Sequence, residues 1–374
     1  MTSTAVAEVG SARRAGLRLG PWLFGARVDL GLFLGSALAA LGLVAIGHAT
    51  GLSHGALPEW SWLAFVLAVD VAHVYSTLFR TYFDADELRR HPVRYAGAPL
   101  AAWACGVLLY LDSPLTFWRA LAYVAVFHFV RQQTGWVALY RARAPKNGLA
   151  DKLIDDAAVY AATLYPLLVW HGSLGDRNFA WFMHGDFVDL SAASSTLVSV
   201  SRLAWIAALL AFVLRQAWLV VTSGTLELGK SVVVATTALV WWLGIVGTNS
   251  DFDFTVTNVL VHGVPYLGLL WMYARARHRE APERLGSQIA GAGIGAFASV
   301  LLLLAFIEEL GWDRFVWHDR PWLFGDGAAL GDRALVIIVP LLAVPQATHY
   351  LLDGLLWRRA DTRARPAQRA ALGL

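Results

Sequence analysis

Apolar runs long enough to cross about 30 Å of hydrocarbon recur along almost the whole chain, separated by short polar connections. Ten of them are predicted to be spans: 30–48, 61–80, 96–111, 117–139, 153–170, 203–221, 231–247, 255–274, 286–307 and 335–357. Backbone in lipid has no water to bond, so each run must satisfy its own peptide groups as a helix. The expected fold is therefore an all-α, polytopic membrane helix bundle of about ten transmembrane helices.

The cations give this count an independent check, because Lys and Arg collect in cytoplasmic loops. They cluster before span one (Arg13, Arg14, Arg18, Arg27) and after span two (Arg80, Arg89, Arg90, Arg94). Further clusters follow span four (Arg141, Arg143, Lys146, Lys152), span six (Arg215, Lys230) and span eight (Arg275, Arg277, Arg279, Arg284), and the tail adds Arg358, Arg359, Arg363, Arg365 and Arg369. The alternate loops instead hold Asp112, Asp176, Asp186, Asp251, Asp253 and Glu308. This alternation predicts cytoplasmic N- and C-termini. It divides the chain into a cytoplasmic or interfacial segment 1–29, one transmembrane domain 30–357 and a basic tail 358–374. Two aromatic outer segments, 172–200 and 308–334, are expected to lie along the membrane interface, where Trp and Tyr rings are favoured.

Composition narrows the class. Apolar residues make up 57% and charged residues 15% of the 374, against about 25% charged in a soluble domain. The basic loops account for the pI of about 9.1. They imply contact with anionic headgroups and give no reason to invoke nucleic acid. The single cysteine, Cys105, excludes an intrachain disulfide and a Cys-based zinc or iron–sulfur site. Residues 1–20 lack an apolar run ending at a cleavage site, so the first span is expected to direct insertion. The Ala/Leu/Arg-rich character predicts a multi-pass protein of a bacterial inner (plasma) membrane.

Against this apolar background stand four histidines, each with a polar residue about one helical turn away: Asp70/His73, His128/Gln132, Asn258/His262 and His349/Asp353. Ionisable groups inside a span are costly and face a bundle interior, paired or ligated. In span two, Asp70, His73, Thr77 and Arg80 recur at three- and four-residue spacing and share a face. Span ten has a second stripe of Gln346, His349, Tyr350 and Asp353. Spans two, four, eight and ten all run inward, which brings His73, His128 and His349 to similar depth. His262 lies shallower and fits a first-rank ligand less well. Arg131, near mid-membrane, is expected to need a buried acid such as Asp70 or Asp353. The remaining histidines, in loops or at span ends, are expected to be solvated.

Imidazoles with one or two carboxylates and no thiolate suit iron, zinc, copper or manganese, and an open position in a hydrophobic pocket suits non-haem iron and oxygen chemistry. The expected ligands are His73, His128, His262, His349, Asp70 and Asp353, around one or two ions. Gln132, Asn258 and Gln346 are candidate polar contacts to the cofactor, and Tyr75, Tyr350 and Arg131 are candidate donors to substrate. The lipid setting nominates a lipid or isoprenoid substrate entering sideways from the bilayer, and such an oxidoreductase calls for an electron donor.

A polytopic chain with isolated intramembrane histidines resembles the Brp/Blh family of membrane carotene-cleaving oxygenases. The family pattern of Pro-His-Gly followed by an Asp-His pair has as its counterparts here Ser53-His-Gly and, in span eight, Asn258-Val-Leu-Val-His-Gly. The Asp-His pair is absent, so the resemblance implies carotene cleavage but transfers no residue role. The His-x-x-His-His boxes of membrane desaturases and hydroxylases are missing. Two further readings stay open: histidines on facing helices as axial ligands of haem, and a proton-coupled transporter using the His/Asp/Arg groups.

Overall fold

The computed structural model describes residues 17–55, 57–144, 148–357 and 369, and about 82% of these described residues are helical. The regular β-structure among the described residues is one two-residue parallel pairing of Arg18–Leu19 with Thr225–Leu226. Ten long helices follow the apolar runs: α1 Ala26–Thr50, α2 Glu59–Arg80, α3 Pro92–Asp112, α4 Pro114–Arg143, α5 Leu149–His171, α6 Ser191–Ser223, α7 Leu228–Gly247, α8 Asp251–Glu280, α9 Ile294–Trp317 and α10 Asp332–Leu356. Eight of these are long and apolar enough to cross a membrane, as in a multi-pass membrane protein. The other two, α3 and α4, have the length but less apolarity. In α4 the reason is visible, because His128, Gln132, Gln133 and Thr134 are buried inside the bundle.

Helix α8 is the axis, with 72% of its apolar window buried. It packs against α1, α2 and α7, and α10 packs against α3, α4 and the middle of α2. At the other extreme α6 leans mainly on α5 and has only 6% of its window buried. Its Leu203, Leu210, Val213, Trp218 and Val221 face outward, as a lipid-facing helix requires. Close packing around α8 depends on glycine. A methyl on Gly263 would come within 2.7 Å of Val69 Cγ1, and one on Gly47 within 2.8 Å of the Phe252 ring.

Several boundaries differ from the sequence reading. Span nine does not begin at 286. Leu285–Gly291 is a separate short helix, and Gly293, at φ +114°, breaks the chain before α9 because only glycine adopts that conformation without strain. Helix α9 then continues to Trp317, so 308–317 is not outer loop, and Glu308 and Glu309 are buried. The segment 172–200 is mostly exposed or half-buried, but it turns some of its rings inward. Phe179 and Phe187 are 3% and 1% exposed and pack on Trp170, because apolar aromatic rings gain more from the bundle end than from remaining half-wet. Asp186 is buried here and accepts from the amides of Phe182 and Met183; desolvation raises its pKa although those amides lower it.

The basic residues assigned to cytoplasmic loops are in part buried in ion pairs at one end of the bundle. Arg80 meets Glu87 at 3.1 Å, Arg277 bridges Asp84 and Asp86, and Lys230, 2% exposed, is held by Asp155 and Glu227. Charges this buried are tolerable only when paired. The first cluster, at Arg13 and Arg14, together with Lys146 and the tail residues 358–368, lies outside the described residues.

Candidate metal centre

The four intramembrane histidines come together. One ring nitrogen from each of His73 (α2), His128 (α4), His262 (α8) and His349 (α10) lies within 4.8 Å of the other three. Each side chain is 1–3% exposed. The Nε2 atoms of His73 and His262 are 3.0 Å apart, and those of His128 and His349 3.2 Å. The rings meet edge to face, with centroids 4.6–5.1 Å apart for the neighbouring pairs.

His262 therefore belongs to the cluster as fully as the rest, which corrects its apparent shallowness. The residues Asp251-Phe-Asp-Phe looked like loop because of their charge. Helix α8 in fact starts at Asp251, capped by the Ser250 hydroxyl accepting from the Asp253 amide, and this sets His262 deeper along the bundle. Gly263 then lets α8 approach α2 at Val69, and the Phe129 ring stacks on the His262 imidazole at 3.5 Å between centroids. Helix α8 runs unbroken through Pro265. On α2, the stretch Trp62–Val71 before His73 is wound as π-helix, a local rewinding that often accompanies functional sites.

The donor set fits one metal ion. A tetrahedral ion held by imidazole nitrogens at about 2.0–2.1 Å keeps them about 3.3 Å apart, close to the two shortest separations seen. Without an ion, each close Nε2 pair would have to share a single proton. A cation at the centre would take a lone pair from every ring and leave each N–H on Nδ1. Polar groups stand behind Nδ1 of three of the rings, as that tautomer would require. His349 Nδ1 is 2.7 Å from Thr77 Oγ1, which is in turn 3.1 Å from the Tyr266 hydroxyl. His73 Nδ1 faces Asp70 Oδ1 at 3.6 Å, and His128 Nδ1 faces Asp353 Oδ2 at 3.6 Å. Neither His73 Nδ1 nor His262 Nδ1 makes a hydrogen bond among the described residues.

This arrangement changes the roles expected of the carboxylates. Asp70 and Asp353 stand behind histidines instead of joining the nitrogen cluster, as orienting carboxylates do at metal sites. Asp353 serves His128 on another helix and not His349 one turn away, because His349 turns into the cluster and toward Thr77. Asp353 also accepts from Trp357 Nε1 at 2.9 Å.

The other predicted site residues divide. Tyr350 lies beside His128, with centroids 5.0 Å apart, and it lines a cavity of about 520 Å³ together with Gln346, Asn258, Asp70 and His73. Asn258 donates to the Phe254 carbonyl and leaves its Oδ1 free. Gln132 is buried, with neither amide atom bonded among the described residues. Tyr75 turns toward Glu308. Arg131 stands apart. It is exposed and donates to the Tyr160 hydroxyl at 2.8 Å, so it meets neither Asp70 nor Asp353; on α4 it lies three residues from His128 but the helix turns it outward.

Two of the histidines expected to be merely solvated have defined partners: His48 pairs with the buried Asp253 at 2.9 Å, and His171 is buried beside Tyr123. Sequence reasoning passed over Tyr266 and Phe129. Tyr266 had a signal, since it follows His262 by four residues on one helix face. Glu308 and Glu309 had none, because an acidic pair at the end of an apolar run reads as the end of a span. No protein-family model matches the chain, and no curated protein or solved structure shows significant similarity to it.

Proposed function

We propose that this chain is a membrane-embedded metalloprotein in which His73, His128, His262 and His349 hold a single non-haem iron ion, and that it acts as an oxidoreductase on a lipid or isoprenoid. The observation that carries the proposal is the convergence of four buried imidazoles from four different helices on one point. An iron held by neutral nitrogen donors supplies one-electron and oxygen chemistry when an external donor provides electrons.

The surrounding residues complete the reading. Thr77, Asp70 and Asp353 orient three of the rings, while Phe129, Tyr266 and Tyr350 keep bulk water from them. The cavity that reaches His73 and Tyr350 provides the space for a substrate. The all-nitrogen donor set is also compatible with zinc, copper or manganese, and iron is preferred for the oxidative chemistry of the lipid setting. Haem is disfavoured, because the four rings crowd one another and leave no slot for a macrocycle between two axial ligands. A proton-relay transporter is less well supported than it was by the sequence, since Arg131 lies outside the cluster. The reading includes ten spans, cytoplasmic termini and a bacterial inner membrane. Carotene cleavage, implied by the Brp/Blh resemblance, is one reaction within the proposed class.

The test is elemental analysis and an absorption spectrum of the protein purified in a neutral detergent. About one equivalent of iron without a Soret band is expected. His73→Ala, His128→Ala, His262→Ala and His349→Ala should each lose the metal while still inserting in the membrane, whereas His54→Ala and His318→Ala should keep it. Full metal occupancy in any of the first four removes that residue from the ligand set. Metal-free protein from every preparation, including cells supplied with excess iron, would overturn the reading.

A further inference from the structure

The cavity beside the metal centre has a character that a site for a purely hydrocarbon substrate does not need. Its mouth is formed by exposed residues of the outer segments, Asn178, His184, Trp317 and Asp319, and its floor by the buried His73 and Asn258 and the half-buried Tyr350. It therefore opens at the bundle end that carries 178–184 and 317–320, not sideways between helices. The reach of this opening explains why the Asp70 side chain is 36% exposed while His73, three residues on, is 2% exposed.

The wall is rich in acids. Asp70, Asp251, Glu309 and Asp319 supply four carboxylates. Glu309 is only 9% exposed and accepts no hydrogen bond among the described residues. Asn258, 5% exposed, adds an Oδ1 with no donor. Two lining side chains oppose these charges in part: Arg320 lies near Glu309 but has its guanidinium over the Trp62 ring at 3.8 Å and bonded to Glu59 at 3.0 Å, and His184 lies near Asp251. Beside Glu309, Trp118, Trp312 and Trp317 form one aromatic wall, with ring centroids 5.3–5.9 Å apart. Carboxylates next to tryptophan rings are the recognition chemistry of an organic cation. A divalent metal would find the carboxylates but gain nothing from the aromatic wall.

We infer that this cavity binds an organic ammonium group, free or as the head of an amphiphile, which enters from the outer end of the bundle and is held by Glu309, Asp319 and the Trp118/Trp312/Trp317 wall. The inference rests on the proposed function for its meaning, since it places a cation-headed ligand above the metal, but its test is independent of activity.

Binding is measured by calorimetry on the metal-loaded protein in a neutral detergent with choline, with its uncharged isostere 3,3-dimethyl-1-butanol, and with dodecyltrimethylammonium. The expected result is that at least one ammonium probe binds and the isostere binds at least tenfold more weakly. Preference for choline indicates a free cation, and preference for dodecyltrimethylammonium an amphiphile. Glu309→Gln should weaken ammonium binding about tenfold and Trp317→Leu several-fold, with metal content and melting temperature unchanged. Trp317 is 38% exposed, and an unchanged melting temperature in Trp317→Leu separates a binding effect from a packing one. Equal binding of cation and isostere, no binding of either ammonium probe, or an unaltered affinity in both variants would overturn the inference. Metal content is read on the same samples. Ammonium binding by protein that holds no metal sinks the metal reading alone, and metal without ammonium binding sinks this one alone.

Discussion

A neutral imidazole offers a metal one lone pair, and which nitrogen offers it depends on what the other nitrogen meets. At His349 that choice rests on the Thr77 hydroxyl, and at His128 on Asp353 at 3.6 Å. Asp353 has only 10% of its side chain exposed and sits between the His128 ring and the Trp357 indole. It is thus a positioning residue, and loss of an orienting carboxylate of this kind typically costs 10- to 100-fold in metal affinity. Asp353→Asn is accordingly expected to retain metal at saturation but to release it to a competing chelator about 10- to 100-fold more readily than the parent, with Thr77→Val behaving in the same direction. Chelator titration followed by absorption spectroscopy measures this; an unchanged midpoint in Asp353→Asn would place the carboxylate outside the centre's support.

Helices bring the ligands to depth only if their axes approach closely enough, and at the element scale the closest approach bearing on the centre is that of α8 to α2. Alanine normally improves a helix interior over glycine by about 0.5–1 kcal/mol. At Gly263 the added methyl would sit 2.7 Å from Val69 Cγ1 and 3.4 Å from the Val69 carbonyl oxygen, so one helix must move away from the other. Overpacking of this kind costs about 1–3 kcal/mol, and here it would separate His262 from His73. Gly263→Ala should therefore lower both thermal stability and metal occupancy. Gly42→Ala, on α1 with nothing within 4 Å of the new methyl, should lower neither. Equal behaviour of the two variants in a melting assay with metal analysis would show that the α2–α8 approach is not tight.

For the whole molecule, the alternation of basic and acidic connections and the placing of the cavity make one topological prediction. The end that bears 178–184 and 317–320 faces outward and the end that bears the Arg80–Glu87 and Arg277–Asp84 pairs faces the cytoplasm. In a Cys105→Ser background, cysteines introduced at His184 and Asp319 should react with a membrane-impermeant maleimide in intact spheroplasts, and one at Arg279 only after lysis. Labelling of Arg279→Cys from outside would invert the protein and move the cavity mouth to the cytoplasmic side.

Hydropathy by itself determined that the chain is helical and multi-pass, because length and apolarity are properties of each segment alone and lipid leaves a backbone few other options. It also singled out the four histidines, since a titratable residue in such a segment is conspicuous wherever its partners are. What it did not contain was their mutual arrangement. The pairing of His128 with Asp353, the support of His349 by Thr77 and the place of His262 beside His73 all join residues more than 180 positions apart, apart in sequence and adjacent only through the packing order of the helices. The outward turn of Arg131 and the burial of Glu309 were decided in the same way. A helix pattern says which residues share a face, and only tertiary packing says whether that face meets lipid, another helix or a cavity.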